Sequence, residues 1–146
     1  MTFPLTQYRK ILGLTAVLLI MHSVHAEQTL MFSNAWSPEA PPVAPVMAGY
    51  FTVENSGKTE ILITAISSPQ FENIEIHRTL YEKDMAKMRW QPHIHVPAGK
   101  RVELKPGGKH LMMFKPKQRV KNGDTIELRI DLSDNTQQTI KLRIKK

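Results

Sequence analysis

"VKNGDTIELRIDLSDNTQQTIKLRI", residues 120–144, decides the fold class. Apolar and polar residues alternate through "DTIELRIDL" (124–132) and again through "QQTIKLRI" (137–144), and "NGD" and "SDN" punctuate the runs. Side chains alternate across a strand, so this period of two describes strands with one face buried and the other wet. The same kind of run recurs in "QTLMFSNAW", "MAGYFTVEN", "EILITAI", "ENIEIHRT", "RVELK" and "HLMMFK", separated by "APPVAP", "NSGKT", "SSPQ", "PAG" and "PGG". Short strands rich in branched and aromatic residues, with turn signals between them and almost no helix pattern, predict an all-β Greek-key sandwich or barrel. No internal repeat and no low-complexity tract interrupts it, and the proline-rich "SPEAPPVAP" is a loop inside one domain.

The first 26 of the 146 residues have a different character. Arg9 and Lys10 precede the apolar stretch "ILGLTAVLLIM" (11–21), too short to span a bilayer, and "SVHA" ends on the small residues that a signal peptidase accepts. The expectation is a cleaved signal peptide, 1–26, and a mature β-sandwich domain, 27–146, without a membrane span. The mature part keeps 18 Lys+Arg of the chain's 20, against 13 Asp+Glu. That excess is spread over the strands and concentrated only modestly in "KLRIKK", and export removes most nucleic-acid partners, so no nucleic-acid role is expected.

Cysteine is absent. An exported chain without it has no disulfide scaffold, thiol nucleophile, zinc-thiolate site or blue-copper centre, and no lipobox cysteine. No "GxSxG" elbow, "HExxH" or recognisable triad is present, so an enzyme is not expected. Soft-metal chemistry would fall to thioether and imidazole.

The stretch "KPGGKHLMMFKPK" (105–117) carries both groups. Alternation sends Leu111 and Met113 to one face, the natural core face, and His110, Met112 and Phe114 to the other. In "ENIEIHRT", Ile74 and Ile76 share the apolar face, which leaves His77 with Glu75 on the opposite one; "MAKMRW" adds Met85 and Met88 before Trp90. Taken singly, such histidines are commonly surface residues and such methionines gap-filling core.

Ten residues separate His77 from Met88, twenty-one separate Met88 from His110, and one separates His110 from Met112. With "NAWSPEAPP", "AGYFTVENSG", "IEIHRT", "KPGGKHLMMF" and "VKNGDTIELRIDL" around it, this pattern resembles the periplasmic copper chaperone family PCu(A)C over nearly the whole mature chain. The resemblance implies a cupredoxin-like β-sandwich in the periplasm, a monomer holding one copper(I) ion per chain through His77, Met88, His110 and Met112. It implies delivery to the binuclear copper centre of cytochrome c oxidase, directly or through a Sco-type thiol partner. Two neutral imidazoles and two thioethers suit a soft d10 ion, and a shallow site with no buried countercharge suits an ion that must be handed on. The chain departs from the family pattern at Arg78, where methionine is usual, and at Asp84, where glycine is usual. Alternatives with the same fold are a periplasmic copper scavenger and a metal-free binding sandwich. His93 and His95 in "QPHIHVP" would share a face if extended, and are expected to be surface polar residues.

Overall fold

The computed structural model describes residues 30–146, so the expected signal peptide, and the start of the first expected strand, lie outside the described residues. Ten strands follow: β1 (Leu30–Pro38), β2 (Val46–Asn55), β3 (Ile61–Ser67), β4 (Phe71–Glu82), β5 (Met85–Gln91), β6 (Ile94–Val96), β7 (Arg101–Glu103), β8 (Lys109–Pro116), β9 (Thr125–Leu132) and β10 (Gln137–Lys145), with no helix among the described residues. Each of the eight runs expected from alternation overlaps one of these strands. β5 and β6 were not anticipated: β5 has no buried residue to set an alternation, and β6 is only three residues long.

The strands are joined in the order β5-β4-β8-β2-β1-β10-β9-β3-β6, with β7 also on β2. β1 and β10 run parallel, and the other pairs are antiparallel. β2 is the strand that turns the corner. Its first half, Val46–Gly49, pairs with β8, its second half, Thr52–Glu54, pairs with β7, and its other edge pairs with β1. A Cβ on Gly49 would stand 3.2 Å from Leu142 Cδ1 of β10 and 3.3 Å from Leu111 Cβ of β8. A side chain there would force Leu142 or Leu111 to shift by a few tenths of an ångström, so glycine lets the two layers close tightly at the corner.

Between the layers lies one apolar core. β9 contributes Ile126, Leu128, Ile130 and Leu132, β10 contributes Leu142 and Ile144, and these face Ile74 and Ile76 of β4, Leu111 and Met113 of β8, and Phe51 and Val53 of β2. Each such side chain withdrawn from water stabilises the fold by about 1.5–3 kcal/mol. Phe32 meets Phe51 edge to face, with ring centroids 5.4 Å apart. The buried Asn55 is fully employed: its amide donates to the Thr59 and Val96 carbonyls at 2.8 and 2.9 Å and its oxygen accepts from the Gly57 N–H at 2.9 Å. It thereby ties the β2–β3 turn to β6.

The β4–β5 hairpin reaches past this core. Glu82 pairs with Met85 across a two-residue loop, and both loop residues, Lys83 (φ 49°) and Asp84 (φ 63°), are left-handed. Two successive positive φ values make the turn whose twist matches the strands it joins. Asp84 occupies a conformation in which glycine is easiest, and aspartate is among the few other residues that adopt it readily. Beyond the core, Arg78 stands directly opposite Arg89 on β5 and Lys109 on β8.

Candidate metal centre

The alternation of β4 and β8 continues onto their outer face. With Ile74 and Ile76 turned inward, Glu75, His77 and Thr79 project outward, and with Leu111 and Met113 inward, His110 and Met112 project outward. Register then brings them together. His77 is the direct ladder partner of His110, Glu75 of Met112, Thr79 of Met88, and Trp90 stands opposite His77 on its other side. Directly opposed residues share a face, so the four expected ligands His77, Met88, His110 and Met112 all lie on one face of three adjacent strands.

Met88, His110 and Met112 line a single open cleft of about 310 Å³ together with Tyr50 and Thr79. His77 stands beside it, its ring centroid 6.1 Å from that of His110 and the planes 32° apart. The candidate ligands differ in depth. His110 is buried, the His77 side chain is 14% exposed, Met112 is half-buried, and Met88, on the edge strand, is 61% exposed. Met85 has the opposite parity on β5 and belongs to the other face. His93 and His95 are elsewhere, exposed just before and within β6 at the far end of the strand order, with His95 Nδ1 3.3 Å from Glu60 Oε1.

Each histidine has one ring nitrogen occupied. His110 Nδ1 is 3.0 Å from the Gly108 carbonyl, which also accepts the Thr79 N–H at 3.0 Å. Gly107 (φ 76°) makes the reversal that aims this carbonyl, a conformation for which the "PGG" turn supplies glycine. His77 Nε2 is 2.8 Å from Glu75 Oε2, and the other oxygen of Glu75 accepts from Asn73 Nδ2 at 3.1 Å. The remaining nitrogens, His77 Nδ1 and His110 Nε2, are the two buried side-chain polar atoms among the described residues that have no hydrogen-bond partner. Leaving such an atom unpaired in the folded state costs about 1–3 kcal/mol. Two of them on facing rings, with two thioethers on the same face, form a donor set for a soft cation.

The expectation of a site without countercharge is modified in one respect. The Glu75 carboxylate, 36% exposed, is hydrogen-bonded to His77 and stands opposite Met112. Tyr50 at the cleft wall has its phenol pushed above the ordinary value by burial, which keeps it neutral. Among the described residues, no three His, Cys, Asp or Glu side chains converge on a point, so a site on this face depends on its methionines. Sequence reasoning did not assign roles to Asn73 and the Gly108 carbonyl; the i, i+2, i+4 run Asn73, Glu75, His77 on one strand face is the signal that could have pointed to the first.

The all-β, cupredoxin-like fold is shared with solved PCuAC domains. The copper-bound PCuAC domain from PmoF2 superposes with a TM-score of 0.68 at 17% identity, covering 80% of this chain and 92% of that one. The solution structure of copper(I)-loaded DR1885 from Deinococcus radiodurans gives 0.65 at 22% identity, covering 84% and 83%. The chain belongs to the LpqE-like family, described as "Putative lipoprotein LpqE-like", which matches residues 30–144. Among relatives, the uncharacterized protein RP573 of Rickettsia prowazekii (strain Madrid E) is 28% identical over 123 residues, 82% of this chain and 68% of that protein.

Proposed function

We propose that this protein is an exported, periplasmic copper(I) metallochaperone that holds one ion per chain between His77, Met88, His110 and Met112 and delivers it for assembly of the binuclear copper centre of cytochrome c oxidase. The observation that carries the reading is the pair of partnerless buried nitrogens on facing histidines beside two thioethers. The copper carried by the PmoF2 domain and by DR1885 supports the choice of metal. Copper(I) needs no particular geometry and favours sulfur and imidazole, whereas copper(II) prefers harder donors in a tetragonal plane. Neither thioether has a proton to lose, and neither can form a disulfide with an outside thiol.

The depth gradient across the ligands suits transfer. His110 and His77 form the sheltered half of the site, while Met88 stands on the outermost strand where an incoming ligand can replace it first. An ion exchanged one ligand at a time is never released free.

Copper stoichiometry on residues 27–146 is the direct test, measured under reducing and oxidising conditions. One ion per chain, held tightly only when reduced, is expected, and the His93→Ala, His95→Ala double variant should keep it. No bound copper would leave a metal-free binding sandwich. Deletion in the source organism separates delivery from scavenging: a respiratory defect relieved by added copper supports delivery, and normal oxidase with copper sensitivity supports scavenging.

A further inference from the structure

We infer that Glu75 is a positioning residue that selects the nitrogen through which His77 meets the metal, so that the site binds through Nδ1 of His77 and Nε2 of His110. The inference rests on the copper(I) reading for the identity of the metal, and on geometry alone for the choice of nitrogen.

A neutral imidazole carries one proton, and the ring nitrogen without it holds the lone pair that can bind a metal. On His110 the choice is made by the backbone. Gly108 offers a carbonyl, which can only accept, at 3.0 Å from Nδ1, so the proton sits on Nδ1 and Nε2 keeps the lone pair. On His77 the choice is made by a side chain. An ionised carboxylate can likewise only accept, and Glu75 Oε2 is 2.8 Å from Nε2, so this ring is held in the opposite tautomer, with its lone pair on Nδ1. The nitrogens that remain are the two without partners. Each ring is therefore poised before the ion arrives.

The carboxylate is itself held. Asn73 donates to its second oxygen at 3.1 Å, and Asn73, Glu75 and His77 occupy alternate positions of β4, so the three side chains run in file along one face. Outer partners of this kind fix ring orientation and ligand basicity at metal sites, and losing one typically lowers metal affinity 10–100-fold. Glu75 also faces Met112 across the ladder. It places negative charge beside a cation bound only by neutral donors.

The test uses the metal-free protein first. Long-range proton–nitrogen NMR on the reduced apoprotein should show His77 protonated at Nε2 and His110 at Nδ1. On copper(I) loading, the resonances that move as ligands should be His77 Nδ1 and His110 Nε2. In Glu75→Gln the side-chain shape is kept, but the amide can donate as well as accept, so His77 should become a mixture of tautomers. Copper(I) affinity should then fall about 10–100-fold, with the thermal midpoint nearly unchanged. Asn73→Ala, which leaves His77 and Glu75 in place, should give a smaller shift in the same direction. His77 found protonated at Nδ1 in the wild-type apoprotein would overturn the inference, as would a Glu75→Gln variant with unaltered tautomer and affinity. Correct tautomers in a wild-type protein that fails to bind copper(I) would sink the chaperone reading while leaving the role of Glu75 intact.

Discussion

Two hairpins of this molecule use the same backbone pattern for opposite ends. β9–β10 sends Ile126, Leu128, Ile130, Leu132, Leu142 and Ile144 into the core, all nearly inaccessible, and keeps its charged residues outside. β4–β5 begins in the same core with Ile74 and Ile76, then runs past it, and every residue of β5 from Met85 to Trp90 is exposed. Both close on tight turns with left-handed residues, Asn135 in one and Lys83 and Asp84 in the other. Apolar side chains in the first hairpin are explained by burial. Those in the second, Tyr81, Met88 and Trp90 on the face of the candidate metal site, are 60–69% exposed and are not. A strand that buries nothing still spends methionine, which points to its sulfur rather than its bulk.

The sharpest way to break this contrast is to replace one residue of each hairpin. Leu128→Ala should destabilise the protein by about 2–5 kcal/mol, the usual range for opening a cavity in a packed core. Met88→Leu should leave unfolding within about 0.5 kcal/mol of wild type, as exposed substitutions do, yet lower copper(I) affinity by more than the loss of an outer partner would. Chemical denaturation and competition with a copper(I) chelator measure the two sides. A Met88→Leu protein that binds normally would reduce the site to three ligands.

Within β8 the same contrast is compressed into neighbouring residues. Met113 is fully buried and Met112 only partly so, one on each face. Leucine nearly conserves the volume of either, so each replacement should cost under about 1.5 kcal/mol. Only Met112→Leu should lose copper(I). Loss in Met113→Leu instead would place the site on the wrong face of the sheet.

The smallest effect concerns the turn that projects β5. A left-handed conformation costs an ordinary residue about 1–2 kcal/mol, rather less for aspartate, and glycine gives back part of the gain through its greater freedom when unfolded. Asp84→Gly should therefore stabilise by about 0.5 kcal/mol or less, seen as a slightly higher thermal midpoint, with copper affinity unchanged. A shift in affinity would mean that the turn sets the position of Met88.

Which parts were legible beforehand follows the same division. Faces were readable wherever a strand has a buried side, because alternation alone separates Leu111 and Met113 from His110 and Met112. β5 was not readable, because an edge strand with no core face leaves no alternation to detect. That His77 lies opposite His110 is a matter of long-range register, which no local pattern of β4 or β8 specifies. The partnership of Glu75 with His77 is local, two positions apart on one strand, but its meaning depends on knowing that the other nitrogen is buried without a partner. Asp84 occupies a left-handed backbone conformation in which glycine is easiest, which no pattern of apolar and polar residues reveals.

The cross-strand row Lys109, Arg78, Arg89 bears on how the molecule behaves in a crowd. β5 ends the strand order, and an unpaired strand edge is a template for self-association into extended sheets. Cations set directly opposite one another weaken a ladder, yet this chain keeps three in succession there, and Lys87 lies two residues from Arg89 on the same face of the edge. Glu82 binds Lys87 at 2.8 Å and Arg89 at 3.4 Å, which offsets one of these charges, and a second copy approaching along β5 would meet the positive charge that remains with its own. Net positive charge thus discourages aggregation along the strand that carries Met88.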